Sequence, residues 1–223
     1  MNLGLCILVT FLLTAAGYIY LVKYFFYSVE TTLTKETILK IDVKRVVYIA
    51  VSVLAGLGLS LTFKFIYSGT TILTQIKIIS LVMMLLPISV IDLKQRIIPN
   101  KILIFGVALR IIFYLVEFVT EGSDILVTLK SDFIGALIVV LFFLLCMLIA
   151  KNSIGMGDVK LFGLMGLYQG LWGVMSSIFF SLFVAFILSI VLLVSRKRGR
   201  KDSIPFGPSI LLGTYVAIIL TGI

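Results

Sequence analysis

Two aspartates are the residues of this sequence best suited to chemistry, because each lies where an apolar segment meets a polar one. Asp92 follows the uncharged run 78–91, and Asp158 ends the Gly-Met-Gly-Asp segment 155–158. Two carboxylates at close range can share one proton, so that one is an acid while the other is a base. Such a pair can activate a water and donate a proton to the carbonyl oxygen of a peptide bond.

Each aspartate also has an ordinary structural interpretation. Asp92 could be a solvated carboxylate at a helix end that pairs with Arg96. Asp158 could be the N-cap of the next helix, a position that favours Asp. Judged singly, both aspartates fit these interpretations better than catalysis. Their common position beside hydrocarbon changes the balance, because carboxylates are costly there and usually mark a functional site.

The absence of histidine removes most competing chemistries. A Ser–His hydrolase and an HExxH zinc peptidase both need it. The two cysteines, Cys6 and Cys146, lie inside apolar runs, unlike reactive thiolates. A Ser–Lys pair, such as Ser153 with Lys151 or Lys160, stays open by residue type, although no spacing singles one out. We predict no metal site and no cofactor.

The elements that must position these residues are membrane helices. The chain is 61% hydrophobic and 13% charged, which is roughly half the charged fraction of a soluble domain. We predict an all-α polytopic membrane protein with about seven transmembrane helices, plus one short helix at 159–170 after the Gly-Met-Gly-Asp turn. The first run lacks a basic n-region, so it is predicted to be a retained span. The predicted spans are 1–22, 46–68, 70–91, 102–119, 133–150, 171–195 and 205–223.

The charges predict which ends of the spans share a side. Fifteen of the 19 Lys and Arg residues fall in alternate loops, at 23–45, 92–101, 151–160 and 196–201, whereas the loop predicted at 117–132 is acidic. The positive-inside rule therefore assigns the basic loops, both aspartates and the segment 203–209 to the cytoplasmic face. This pattern also explains the net charge of +9 without a nucleic-acid partner. We predict one integrated domain, with membrane helices and a short cytoplasmic loop 23–45 in residues 1–70 and the core in 71–223.

A third polar segment, Ile-Pro-Phe-Gly-Pro at 204–208, precedes the last predicted span. Its two prolines predict a rigid, extended entry into that span. The segment could equally be a structural break that only separates the basic loop from the span. Pro99, by contrast, suits the first turn of the helix that follows Asp92.

These segments, in this order, resemble the bacterial type IV prepilin peptidases, which are membrane aspartic peptidases of the GxGD type. The resemblance rests on Asp92 with Ile-Pro-Asn 98–100, on 155–160 and on 204–208, and it covers roughly residues 72–223. It implies that Asp92 and Asp158 are the catalytic pair. The residues that it implies in substrate binding or in shaping the site are Arg96, Pro99, Asn100, Gly155, Gly157, Lys160, Pro205, Gly207 and Pro208.

The resemblance also implies a substrate and a location. The substrates would be pilin and pseudopilin precursors, whose short leader is removed after a glycine at the cytoplasmic face of the cell membrane. Larger members of the family carry a long loop with paired CxxC motifs and a second, N-methyltransferase activity. Here the loop 23–45 contains no cysteine, so we predict the peptidase without the methyltransferase.

Two other classes of function remain open. A transporter or channel component could use the aspartates as ion or proton sites, and a short helix flanked by glycines would suit a broken-helix binding site. No inverted repeat is visible, however, and both carboxylates are predicted at one surface rather than at the midplane. A non-catalytic assembly protein would keep the fold and tolerate the loss of either aspartate.

Overall fold

The computed structural model describes residues 2–23, 42–122, 125–149, 155–194 and 205–222. In these ranges the regular structure is helical, with no strand, as the sequence predicts. The helices are α1 (Asn2–Leu21), α2 (Val43–Phe65), α3 (Ile72–Gln95), α4 (Asn100–Glu121), α5 (Ile125–Ile149), α6 (Met156–Val194) and α7 (Gly207–Thr221).

Six of these helices, α1 to α6, are long and apolar enough to cross a membrane. The seventh, α7, has 15 residues, so it is about 22 Å long and shorter than a typical bilayer core. The chain is therefore a multi-pass membrane protein, and the prediction of an all-α polytopic fold is confirmed.

The long helix α6 is interrupted at Gly170, where the backbone is not helical (φ 66°, ψ −174°). This region of backbone space is open essentially to glycine alone. The break separates a short helix, residues 156–169, from a long apolar part, residues 171–194. The predicted short helix is thus present, and it begins three residues earlier than predicted.

The chain forms two compact units, Met1–Pro87 and Ile88–Ile223. In the first unit, α1 and α2 approach closely at two glycines, because Gly56 faces Thr10 and Gly17 faces the Tyr48 hydroxyl. Small residues permit such close approach between membrane helices. The predicted division near residue 70 stays a prediction, and α3 begins there, at Ile72.

In the second unit, α5 and the short helix are in close contact. A Cβ atom on Gly166 would lie 2.6 Å from the Cα atom of Ala136 in α5. The Phe162 ring of the short helix stacks on Phe143 of α5 with 4.6 Å between ring centroids. The same Phe162 ring contacts Phe206, at the entry to α7, at 5.9 Å. These contacts fix the short helix between α5 and the start of α7.

Two predicted boundaries were wrong. The acidic loop predicted at 117–132 is far shorter, because α4 continues to Glu121 and α5 begins at Ile125. Asp132 consequently lies inside α5, and both it and Glu117, which the predicted span 102–119 already includes, are buried. The second error concerns α3, which continues one turn past its predicted end. Several predictions fall outside the described residues. These are most of the cytoplasmic loop 23–45, all of the basic loop 196–201, and the Ser–Lys candidates Lys151 and Ser153.

Candidate active site

Asp92 lies in the last turn of α3. Its carbonyl oxygen accepts the backbone N–H of Arg96 at 3.0 Å, immediately after the helix ends at Gln95. Asp92 as a whole is only 6% exposed. The interpretation of Asp92 as a solvated helix-end carboxylate is therefore wrong.

The start of α7 provides a hydrogen-bond donor for Asp92. The Gly207 N–H donates to Asp92 Oδ2 at 2.6 Å. Gly207 is the first residue of α7, and the first N–H groups of a helix have no partner inside it. They also carry the positive end of the helix dipole, which favours a negative charge nearby. The third polar segment of the sequence therefore meets the first.

Only glycine at position 207 permits this approach. A Cβ atom there would lie 2.9 Å from Asp92 Cβ and 3.0 Å from Asp92 Oδ2. Both distances are shorter than ordinary van der Waals contact. The backbone of α7 thus lies directly against the Asp92 side chain.

Asp158 lies in the first turn of the short helix. The Gly155 carbonyl accepts the N–H groups of Asp158, at 3.0 Å, and of Val159, at 3.4 Å. Gly155 is therefore the residue that begins the helix, and the interpretation of Asp158 as the N-cap is wrong. Asp158 is half-buried, and a Cβ atom on Gly155 would lie 3.2 Å from its Oδ2. The carboxylate folds back over the start of its own helix.

Gly157 holds the same turn against the segment that follows α3. A Cβ atom on Gly157 would lie 3.0 Å from the Cβ atom of Ile98, which is buried. The short helix can approach the Asp92 end of α3 this closely because position 157 has no side chain. The two glycines before Asp158 thus have separate roles, one at the helix start and one at this contact.

The two carboxylates line one cavity of about 260 Å³. The cavity is lined by Asp92, Arg96, Ile97, Ile98, Asn100, Gly155, Gly157, Asp158 and Lys160. It is large enough for water and part of an extended peptide, so the arrangement suits acid–base chemistry by a pair of carboxylates.

Most of the predicted site residues meet at this cavity, but Pro99, Pro205, Gly207 and Pro208 do not line it. Pro205 and Pro208 flank Gly207, the residue that binds Asp92. Pro99 is the N-cap of α4 rather than part of its first turn, and its carbonyl accepts the N–H of Ile102 at 3.1 Å. The prediction for Pro99 was therefore displaced by one residue, because its fixed φ suits the cap as well as the first turn.

The rim of the cavity is polar and partly basic. Lys160 Nζ donates to Asn100 Oδ1 at 3.3 Å, and both side chains are exposed. Arg96 has a positive φ of 54°, which is uncommon for a residue other than glycine.

Sequence reasoning did not select Ile97 for the site. Its position between Arg96 and the Ile-Pro-Asn motif could have indicated that Ile97 lines the cavity.

No group of three or more His, Cys, Asp or Glu side chains that could hold a metal ion occurs in the part of the chain that the structure describes. The donors at the cavity are two carboxylates, one amide and two basic side chains. This set does not resemble a zinc site, which takes three or four His, Cys or carboxylate ligands.

Comparison with known proteins identifies the family of this chain. The family model of the type IV leader peptidase family matches residues 79–192, a range that includes both aspartates. The prepilin leader peptidase/N-methyltransferase of Bacillus subtilis (strain 168) is 24% identical over 136 residues, which are 61% of this chain and 52% of the relative. The enzyme of the same name from Xanthomonas campestris pv. campestris is 26% identical over 132 residues, or 59% of this chain and 45% of the relative.

A third relative with that name, from Pseudomonas putida, is 26% identical over 141 residues, or 60% of this chain and 46% of the relative. The chain thus matches about half the length of these curated relatives. No solved structure gives a significant match. Because the family model covers half of the sequence and contains both carboxylates of the cavity, the chain belongs to the type IV leader peptidase family.

Proposed function

We propose that this protein is a membrane aspartic endopeptidase that removes the leader peptide from pilin-like precursors. The observation that carries the proposal is the cavity shared by Asp92 and Asp158, which come from helices far apart in sequence. Membership of the leader peptidase family and the names of the relatives support the same chemistry.

In this mechanism, the ionised carboxylate takes a proton from water while the water oxygen attacks the carbonyl carbon of the scissile bond. The protonated carboxylate donates its proton to the carbonyl oxygen. The carboxyl that took the proton from water then gives it to the leaving nitrogen, and the C–N bond breaks. As the tetrahedral intermediate collapses, one of its hydroxyl groups returns a proton to the other carboxylate, which restores both groups. We assign Asp92 the role of base, because the Gly207 N–H stabilises negative charge on its Oδ2. Asp158 is then the acid.

The proposed substrates are pilin and pseudopilin precursors, cut after the glycine that precedes their hydrophobic helix. The proposed location is the cytoplasmic face of the cell membrane, on the basis of the distribution of Lys and Arg between loops. We further propose that the protein lacks N-methyltransferase activity, because both cysteines of the chain lie in helices and the segment 23–45 has none.

A transporter that uses the broken helix as an ion site would need carbonyl groups free to coordinate the ion. At the Gly170 break, the Leu167 carbonyl instead accepts a hydrogen bond from the Arg110 guanidinium at 2.7 Å. That carbonyl is therefore already engaged and is not free to coordinate an ion. This contact favours the peptidase over the transporter.

The test is to co-express the protein with a pilin-like precursor and to follow leader removal on a gel. Asp92→Asn and Asp158→Asn, made separately, keep the shape of each side chain and remove its charge. Each variant is expected to accumulate in the membrane and to lose processing. The matched control is Asp42→Asn, the same change at an exposed helix start that makes no side-chain capping bond, and it is expected to process normally.

Normal processing by either active-site variant would overturn the proposal. A non-catalytic assembly protein would leave the precursor uncut with the wild-type chain as well. Mass spectrometry of the product, which gives the cleavage position and the presence or absence of a methyl group, tests the finer parts of the proposal separately.

A further inference from the structure

A buried charged cluster lies midway along α4, away from the cavity. Arg110 is only 1% exposed, and Glu117 and Asp132 are 3% exposed each. Arg110 Nη1 donates to both carboxylate oxygens of Glu117 at 3.0 Å. Arg110 Nη2 donates to Asp132 Oδ2 at 2.5 Å. The guanidinium thus joins a carboxylate of its own helix to one from α5.

The same guanidinium also binds the backbone of the short helix. Arg110 Nε donates to the Leu167 carbonyl oxygen at 2.7 Å. The Tyr114 hydroxyl donates to Asp132 Oδ2 at 3.0 Å and contacts the Leu167 carbonyl at 3.4 Å. Arg110 lies over the Tyr114 ring, 3.6 Å from its centroid. Each of these groups is directed at the end of the short helix.

The Leu167 carbonyl is a group that needs a donor from outside its helix. The last four carbonyls of a helix lack the N–H that the next turn would supply. The break at Gly170 makes Leu167 one of these four, and an unpaired carbonyl inside a membrane is costly. Arg110 therefore caps the broken end of the short helix.

Two more contacts hold this end. The Tyr168 hydroxyl donates to the Gly106 carbonyl of α4 at 2.8 Å, and the Tyr168 ring packs edge-on against Phe113. A Cβ atom on Gly170 would lie 3.3 Å from Asp132 Oδ1. The C-terminal end of the short helix is thus fixed to α4 and α5, and its first turn, about 14 Å away, carries Asp158.

We infer that Arg110 is a positioning residue for Asp158. It fixes the broken end of the short helix and thereby the place of the Asp158 carboxylate in the cavity. A rigid helix transmits such a constraint over its whole length. The inference rests on the proposed function for its catalytic meaning, whereas the positioning itself is measurable without catalysis.

The decisive variant replaces the whole cluster with neutral groups, as Arg110→Met with Glu117→Gln and Asp132→Asn. Losing Arg110 alone would leave two buried carboxylates without the positive charge of its guanidinium, whereas neutralising all three members avoids that cost. The variant is made in the full chain and purified in detergent. Steady-state cleavage of a pilin-like precursor gives kcat and KM, and hydrogen exchange by mass spectrometry gives the protection of residues 156–169.

The triple variant is expected to remain folded and to lose kcat by about tenfold or more, while KM changes less than about twofold because the cavity lining is untouched. Amide exchange is expected to accelerate in residues 156–169 and not in α7. Arg110→Lys keeps the charge without the planar fork, so it should show the same pattern more weakly. Ser176→Ala is the control, since Ser176 is in α6 beyond the break and its hydroxyl donates to the Trp172 carbonyl of the same helix.

A folded triple variant with unchanged kcat and unchanged exchange would overturn the inference, as would a rise in KM alone. If the triple variant does not fold, Arg110→Lys decides by the same two measurements. Failure of both to fold would indicate a general folding role and would also overturn it. Because exchange needs no substrate, failure of the peptidase proposal would appear separately, as normal processing by Asp158→Asn.

Discussion

The Asp92 carboxylate accepts a 2.6 Å hydrogen bond from the backbone N–H of Gly207, which lies 115 residues further along the chain. No substitution other than proline removes a backbone N–H, so the contact is sensitive mainly to where α7 lies. A charge-assisted bond of this kind is stronger than one between neutral groups. The position of α7 and the orientation of Asp92 are therefore linked.

Gly207→Ala is expected to reduce processing strongly. The new Cβ atom would lie 2.9 Å from Asp92 Cβ, so either α7 or the carboxylate must move, and a shift near 1 Å can lower kcat by about 100-fold. The loss of stability from overpacking should be about 1–3 kcal/mol. Cleavage of a precursor in detergent and thermal unfolding measure the two effects. Gly4→Ala, where nothing lies within 4 Å, is the control, and equal activity of both variants would contradict the expectation.

The loss of activity caused by a substitution at Gly157 should increase with the size of the new side chain. Alanine would place its Cβ atom 3.0 Å from Ile98 Cβ, so Gly157→Ala should lose activity moderately and Gly157→Val severely, because the first turn of the short helix must move away from Ile98. Single-turnover cleavage rates measure the series. Met156→Val changes an exposed neighbour and should stay close to wild type. A rate that is indifferent to size at position 157 would show that this contact does not position Asp158.

Gly170→Ala is expected to destabilise the protein by about 1–3 kcal/mol, because alanine is strained at φ 66° and ψ −174°. Its Cβ atom would also lie 2.7 Å from Ser131 Oγ. Chemical denaturation in detergent measures the change. Gly122→Ala separates the two causes, since Gly122 also has φ 60° but nothing within 4 Å. An equal loss in both variants would assign the effect to backbone strain alone.

Processing is expected to survive a chelator, a thiol-alkylating reagent and a serine-directed sulfonyl fluoride. The proposed chemistry needs only two carboxylates and water. Cys6 is buried and Cys146 half-buried, so neither is a ready target for alkylation. Precursor cleavage by purified protein, with each reagent in excess, tests this. Inhibition by the sulfonyl fluoride would point to the Ser–Lys alternative, and inhibition by the chelator would point to a metal enzyme.

Much of the fold could be predicted because its causes are local. Apolar runs predict the spans, and glycine predicts the break at position 170. The meeting of the three polar segments could be predicted in outline, because charge distribution assigns them to one face. The contact between Asp92 and Gly207 could not, since it depends on how α3 and α7 pack.

The buried cluster of Arg110, Glu117 and Asp132 was not predicted from the sequence, for a physical reason. Asp132 looks like a loop residue by composition, and Glu117 lies near the end of a predicted span; both are buried, and Arg110 pairs with each. One signal was available. Arg110 and Glu117 are seven residues apart, or two helical turns, so they share a face of α4. An arginine and a glutamate on one face of an apolar run predict a buried pair.

The bond between Asp92 and Gly207 also has a consequence in time. Ribosomal synthesis makes α3 before α7, so the Asp92 carboxylate exists without its donor while α4, α5 and α6 are being made. The bond can form only once α7 has been added to the others. Asp92 therefore acquires its backbone donor only late in the biogenesis of this unit, after the helix that carries Asp158 has already been made.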